Sequence, residues 1–109
     1  MADENPNVRD LTPQEVAQGI KEGRMVLVDV REPNETALER IPGSVLVPLS
    51  TFDPADIPEP AGRDVVFSCR SGRRSITASL AAQDQGFPYG NHLAGGILAW
   101  KAAGLPTET

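Results

Sequence analysis

One cysteine occurs in the chain, Cys69, in the run Cys69-Arg70-Ser71-Gly72-Arg73-Arg74-Ser75. The apolar stretch before it reads as a strand and the Ala-rich stretch after it as a helix, which puts the thiol in a strand-to-helix loop. A loop of this kind turns backbone N–H groups toward whatever occupies its centre, and the helix N-terminus adds partial positive charge. Arg70, Arg73 and Arg74 add full charges to the same spot. Such surroundings favour the thiolate, which is the nucleophilic form of cysteine. Taken alone, a cysteine is most simply a buried, inert core thiol; the arginine-flanked loop makes Cys69 the candidate catalytic residue instead, its sulfur expected to be ionised and exposed.

Charge points to the class of substrate. The chain carries 10 Lys and Arg against 15 Asp and Glu, a formal net charge of −5. Without the three loop arginines the balance is seven against 15, or −8. One short positive focus in an otherwise acidic protein suits a small anionic substrate. No basic face of the kind that binds phosphate backbones is evident, so nucleic acid is not expected as a partner.

The elements that must hold this loop can be read from pattern. Thr12-Pro13-Gln14-Glu15 offers an N-cap, a proline at the first helical position and a glutamate three residues after the cap, so a helix should run to about Glu22 and stop at Gly23. Met25 to Val28, Val45 to Val47 and Val65 to Phe67 are short apolar runs of the kind found in parallel strands buried on both faces. Pro33 to Glu39 suits a short helix, Ile41-Pro42-Gly43 a turn, and Pro48 to Pro60 a proline-punctuated connection. The helix after Cys69 should run from about Arg74 to Gln85, stopped by Gly86 and Pro88. His92-Leu93 can form a last strand, and Ile97 to Ala103 a last helix ended by Gly104. Alternating strands and helices predict an α/β fold.

With 109 residues, a single domain is expected over residues 10–109, after a polar, aperiodic leader at 1–9. A lone cysteine forms no internal disulfide, and His92 is the one histidine, so no structural metal site is expected; no cofactor is expected either. No stretch resembles a signal peptide or approaches the roughly 18 apolar residues of a membrane span, which makes the reducing cytoplasm the expected location. Neither an internal repeat nor a low-complexity tract is present.

Four separated segments together resemble the single-domain, rhodanese-like sulfurtransferase family: Asp29-Val30-Arg31-Glu32, Ile41-Pro42-Gly43-Ser44, the Cys69–Ser75 loop, and Leu93-Ala94-Gly95-Gly96-Ile97-Leu98-Ala99-Trp100 with the Gly104-Leu105-Pro106 tail. The resemblance runs from about Leu11 to Pro106. It implies a central, mostly parallel sheet of about five short strands flanked by helices on both faces. One departure stands out, Arg40 where the family commonly has histidine before Ile-Pro-Gly.

By the same resemblance, Cys69 would take the outer sulfur of a donor such as thiosulfate as a persulfide and pass it to cyanide or a thiol. The N–H groups of Arg70 to Ser75 would stabilise the thiolate and then the persulfide. Arg70, Arg73 and Arg74 would attract the anionic donor, Gly72 would permit the tight curvature, and Ser71 and Ser75 would hydrogen-bond within the loop, Ser75 also capping the helix. The partners implied are a small anionic donor and a thiol or protein acceptor, with the chain a monomer or weak homodimer. A preformed thiolate attacks unaided and sulfite leaves without protonation, so no general base is called for.

Other residues have plainer readings. Asp29 and Arg31 suit an ion pair that fixes a loop, Gly95 and Gly96 a close backbone approach, Trp100 a large filler with one N–H to satisfy, and His92 an ordinary hydrogen-bonded histidine. Two other functions compete with sulfur transfer. A sulfur-carrier or regulatory binding module would use the same loop without turnover. A phosphatase or arsenate reductase would need a loop of cysteine, five residues and arginine, whereas here position 75 is serine and Arg74 follows after four residues.

Overall fold

The computed structural model describes residues 7–109. Their elements, in chain order, are β1 (Arg9–Leu11), α1 (Pro13–Lys21), β2 (Met25–Asp29), α2 (Pro33–Thr36), β3 (Val45–Leu46), β4 (Asp64–Ser68), α3 (Arg74–Asp84), β5 (Asn91–Leu93) and α4 (Gly96–Ala102). Two single 3-10 turns, Leu49–Thr51 and Pro54–Asp56, carry the proline-rich connection from β3 to β4.

Local chemistry accounts for the element boundaries. Thr12 caps α1 through a reciprocal pair, its hydroxyl accepting from the Glu15 N–H at 3.1 Å and the Glu15 carboxylate accepting from the Thr12 N–H at 2.9 Å. Helix α3 begins without a side-chain cap at Arg73, so Ser75 lies inside its first turn and is not the cap. The capping role read from sequence is thereby corrected: the Ser75 hydroxyl points into the core, where sulfur and imidazole offer it partners.

The five strands form one sheet in the order β1-β5-β4-β2-β3, every neighbouring pair parallel. Strand alternation divides the core between its faces. Val26, Val28, Val65 and Phe67 pack with Ala78 and Ala82 of α3, whereas Leu27, Val66, Leu11 and Leu93 pack with Val16 of α1 and with Ile97 and Trp100 of α4. Helices thus cover both faces, which explains why β2 and β4 read as continuous apolar runs. Cys69 follows the same parity as Val65 and Phe67, so its side chain emerges on the α3 side. The Trp100 indole fills the opposite face and donates to the Pro106 carbonyl at 2.8 Å.

Strand β1 is a departure from the sequence reading. Val8 is buried and Arg9 opens the strand, so the folded part reaches into the segment taken as a leader; the rest of that segment, residues 1–6, lies outside the described residues. Three residues beside a polar stretch carry too little periodicity to announce a strand.

Candidate active site

The loop from Cys69 to Arg73 leaves β4 and enters α3 at the carboxyl edge of the sheet. At its centre, Cys69 Sγ accepts from the Gly72 N–H at 3.1 Å and lies 3.4 Å from the Ser75 N–H, with the Ser75 hydroxyl at 3.5 Å. Two amides converge on the sulfur, from the loop and from the first turn of α3. Of the six amides from Arg70 to Ser75, these are the two that reach Sγ itself.

The exposed sulfur expected from sequence is not found: Cys69 is buried. It is 1% accessible, sealed beneath its own loop. Of the loop residues, Arg70, Ser71 and Arg73 face solvent, while Gly72 and Ser75 are buried with the sulfur. Two cavities, of about 320 and 460 Å³, lie elsewhere, the first between α2 and Arg40 and the second beside α1 and Asp64. No loop residue lines either one.

The loop's shape is imposed from below by α4. The N–H groups of Ile97 and Leu98 donate to the Cys69 and Arg70 carbonyls at 2.9 and 3.1 Å. That contact requires glycine at 96, because a Cβ there would collide with both carbonyls. Gly72 has φ +98°, and a Cβ on it would sit 2.8 Å from the Gly95 nitrogen. The glycine pair read as a packing device is therefore the floor of the cysteine loop.

The arginines separate into two kinds. Arg74 places Nη1 and Nη2 on the two Glu35 carboxylate oxygens at 2.6 and 2.9 Å, a bidentate pair that ties α3 to α2. Hydrogen bonding from Arg74, helped by the Glu32 N–H, holds the Glu35 carboxyl at about 2 against an ordinary 4.5, outweighing its partial burial. Arg74 is thus already engaged. Arg70 is exposed and its guanidinium makes no ion pair among the described residues. Arg73 is exposed beside it.

Asp29 and Arg31 form a buried bidentate pair, with Nε 3.0 Å and Nη2 2.8 Å from Oδ2, and Nη2 also donates to the Glu39 carbonyl. They brace the segment between β2 and α2, in keeping with the structural role read for them. Arg40 pairs with Glu108 at 3.0 Å and exchanges two backbone hydrogen bonds with it, so the unusual residue before Ile-Pro-Gly clasps the C-terminal segment. Among the described residues, no three His, Cys, Asp or Glu side chains gather into a group able to hold a metal ion.

One relationship escaped the sequence reading. His92 on β5 is 2% accessible; its Nδ1 lies 2.8 Å from the Ser75 hydroxyl and its Nε2 lies 2.6 Å from Asp10 Oδ1 on β1. Parallel pairing of β1 and β5 sets Asp10 opposite His92. A continuous line of polar atoms consequently joins Cys69 to the rim of the sheet.

Comparison with known proteins agrees with this architecture. The rhodanese-like domain matches residues 12–103. The chain belongs to the rhodanese-like domain family. It is 40% identical over 82 residues to a sulfurtransferase of Allochromatium vinosum, covering 75% of this chain and 77% of that protein. It is 39% identical over 97 residues to an uncharacterised Synechocystis protein, covering 89% of this chain but only 54%, about half, of that relative. Among solved structures, a Rhodopseudomonas palustris protein of unknown function, named a possible tyrosine phosphatase, superposes with a TM-score of 0.77 at 34% identity, covering 93% of this chain and 85% of that one. No helix among the described residues is long and apolar enough to cross a membrane.

Proposed function

We propose that this rhodanese-like domain is a sulfurtransferase in which Cys69 carries the sulfur. The observation that carries the reading is the pair of main-chain N–H groups, from Gly72 and Ser75, directed at Cys69 Sγ where α3 begins. Amide dipoles at a helix N-terminus stabilise negative charge on sulfur without supplying a proton to quench it. With thiosulfate as donor, the Cys69 thiolate attacks the outer sulfur, a new S–S bond forms, the donor's S–S bond breaks, and sulfite leaves with the electron pair. Cyanide or a thiolate then attacks the outer sulfur of the persulfide and releases the Cys69 thiolate. Arg70 and Arg73, exposed on the rim, attract the anionic donor, while Arg74 holds the frame.

Burial of Cys69 adds a step. A donor gains the sulfur only when the loop over it opens, and the segment suited to move is Ser71–Gly72, between the carbonyls of Cys69 and Arg70 held by α4 and the Arg73 carbonyl held by α3. The same burial favours a second reading, a sulfur carrier or regulatory module loaded by a partner enzyme. Steady-state assay with thiosulfate and cyanide separates the two. Rapid turnover supports the free-standing enzyme, and persulfide loading with poor turnover supports the carrier. Sulfur transfer itself fails as a reading if Cys69 takes up no sulfur from any sulfane donor.

A further inference from the structure

We infer that Ser75, His92 and Asp10 form a proton relay that takes the proton from Cys69 and holds it in the core while the sulfur is ionised. This inference rests on Cys69 being the reacting thiol.

The distances set the order of the relay: Cys69 Sγ to Ser75 Oγ 3.5 Å, Ser75 Oγ to His92 Nδ1 2.8 Å, His92 Nε2 to Asp10 Oδ1 2.6 Å. Chemistry fixes the direction of each bond. An ionised carboxylate only accepts, so Nε2 carries a hydrogen and donates to Asp10, which leaves Nδ1 of a neutral imidazole to accept from the Ser75 hydroxyl. The Ser75 oxygen is then open to accept from the Cys69 S–H.

Transfer reverses two of these bonds and balances. The S–H proton passes to Ser75 Oγ as the former hydroxyl proton passes to His92 Nδ1. Ser75 remains neutral throughout. The product is a thiolate that accepts from the Ser75 hydroxyl and from the amides of Gly72 and Ser75, together with an imidazolium that donates to Ser75 and to Asp10. Every polar atom in the line keeps a partner in both states, which a buried site requires. No other imidazole exists to take this part, since His92 is the chain's one histidine.

The remaining charges around the line favour separation of charge in the same sense. Asp10 meets His92 from β1, with Arg9 beside it at the exposed edge. On the sulfur side stand Arg70 and Arg73 of the loop and Arg74 of α3, the last neutralised by Glu35 of α2. Asp29 and Arg31, at the end of β2, neutralise one another. Asp10 is the relay's one solvated member, its side chain 57% accessible, so the line ends at the rim while the proton rests on buried His92.

Ser75, His92 and Asp10 are positioning residues for the thiol, and two titrations distinguish that role from mere packing. The first follows the ultraviolet absorbance of the thiolate in the intact protein, with Cys69→Ser subtracted as the blank. In His92→Gln the thiolate should appear at a pH higher by about one unit, and in Asp10→Asn by a smaller shift of the same sign. The second follows the single histidine by NMR: in Cys69→Ser, where no thiolate can form, the imidazolium should be lost at lower pH than in the parent protein. Asp10 is exposed and Cys69→Ser is nearly isosteric, so both variants test the relay even if His92→Gln is too unstable to study. Coincident thiolate curves in parent and folded variants, or identical His92 titrations with and without Cys69, would overturn the relay. Persulfide loading is measured separately by mass: loading without coupling defeats the relay alone, and coupling without loading defeats the proposed sulfur transfer alone.

Discussion

Arg74 and Glu35, 39 positions apart, meet through two hydrogen bonds of 2.6 and 2.9 Å and so fasten the helix after the cysteine loop to the short helix after β2. Because Glu35 is held near 2 rather than 4.5, its ionised form is favoured by folding. That contribution is present in full above about 4.5 and fades as pH falls toward 2. Glu35→Gln lacks it at every pH. The difference in melting temperature between parent and variant should therefore be largest near neutrality and shrink on acidification; a difference independent of pH would contradict the pairing.

Engagement of Arg74 also bears on phosphate chemistry. Loops that clamp a tetrahedral phosphate need a guanidinium directed at the anion, and here Arg74, separated from the cysteine by four residues, spends both terminal nitrogens on Glu35. Turnover of an aryl phosphate should be negligible. Measurable hydrolysis abolished by Cys69→Ser would reverse that expectation, and would align the chain with the possible phosphatase it superposes on.

Gly96 and Gly104 offer a matched pair of substitutions. Both have positive φ, +60° and +78°, yet a Cβ at 104 meets open space while one at 96 meets the Cys69 and Arg70 carbonyls. Gly104→Ala should cost about 1 kcal/mol in denaturant unfolding, and Gly96→Ala about 3 kcal/mol or more together with loss of persulfide loading. Equal costs at the two sites would show that α4 does not support the loop.

Access to Cys69 should depend on reagent size. A small alkylating agent needs only a slight parting of the loop, whereas a bulky aromatic disulfide needs Ser71 and Gly72 displaced. Relative to an unfolded control, the bulky reagent should be slowed by about tenfold more than the small one, as expected for local opening. Equal slowing would show that the opening does not discriminate by size, and no slowing of either would place the sulfur in open contact with solvent, against its 1% accessibility.

Much of this site was readable from local pattern because local chemistry determines it. The Thr12–Glu15 box, the apolar runs of β2 and β4 and the stop at Gly86 each depend on residues within a few positions. What the sequence withheld depends on topology. His92 and Asp10 are 82 positions apart and meet only because β5 pairs with β1, itself too short to signal its presence. Burial of Cys69 was hidden for a related reason: loop arginines suggest an open, charged surface, but the sulfur shares its parity with Phe67 and so turns beneath the loop. The presence of Asp10 opposite a strand histidine was the one available signal, and it acquires meaning only once strand order is known.

The central claim is that Cys69 carries transferable sulfur, and mass spectrometry of the intact protein tests it most directly. Incubation with thiosulfate should add the mass of one sulfur atom, localise it to Cys69, and lose it on addition of cyanide. A protein whose mass is unchanged by thiosulfate and by other sulfane donors would contradict the claim.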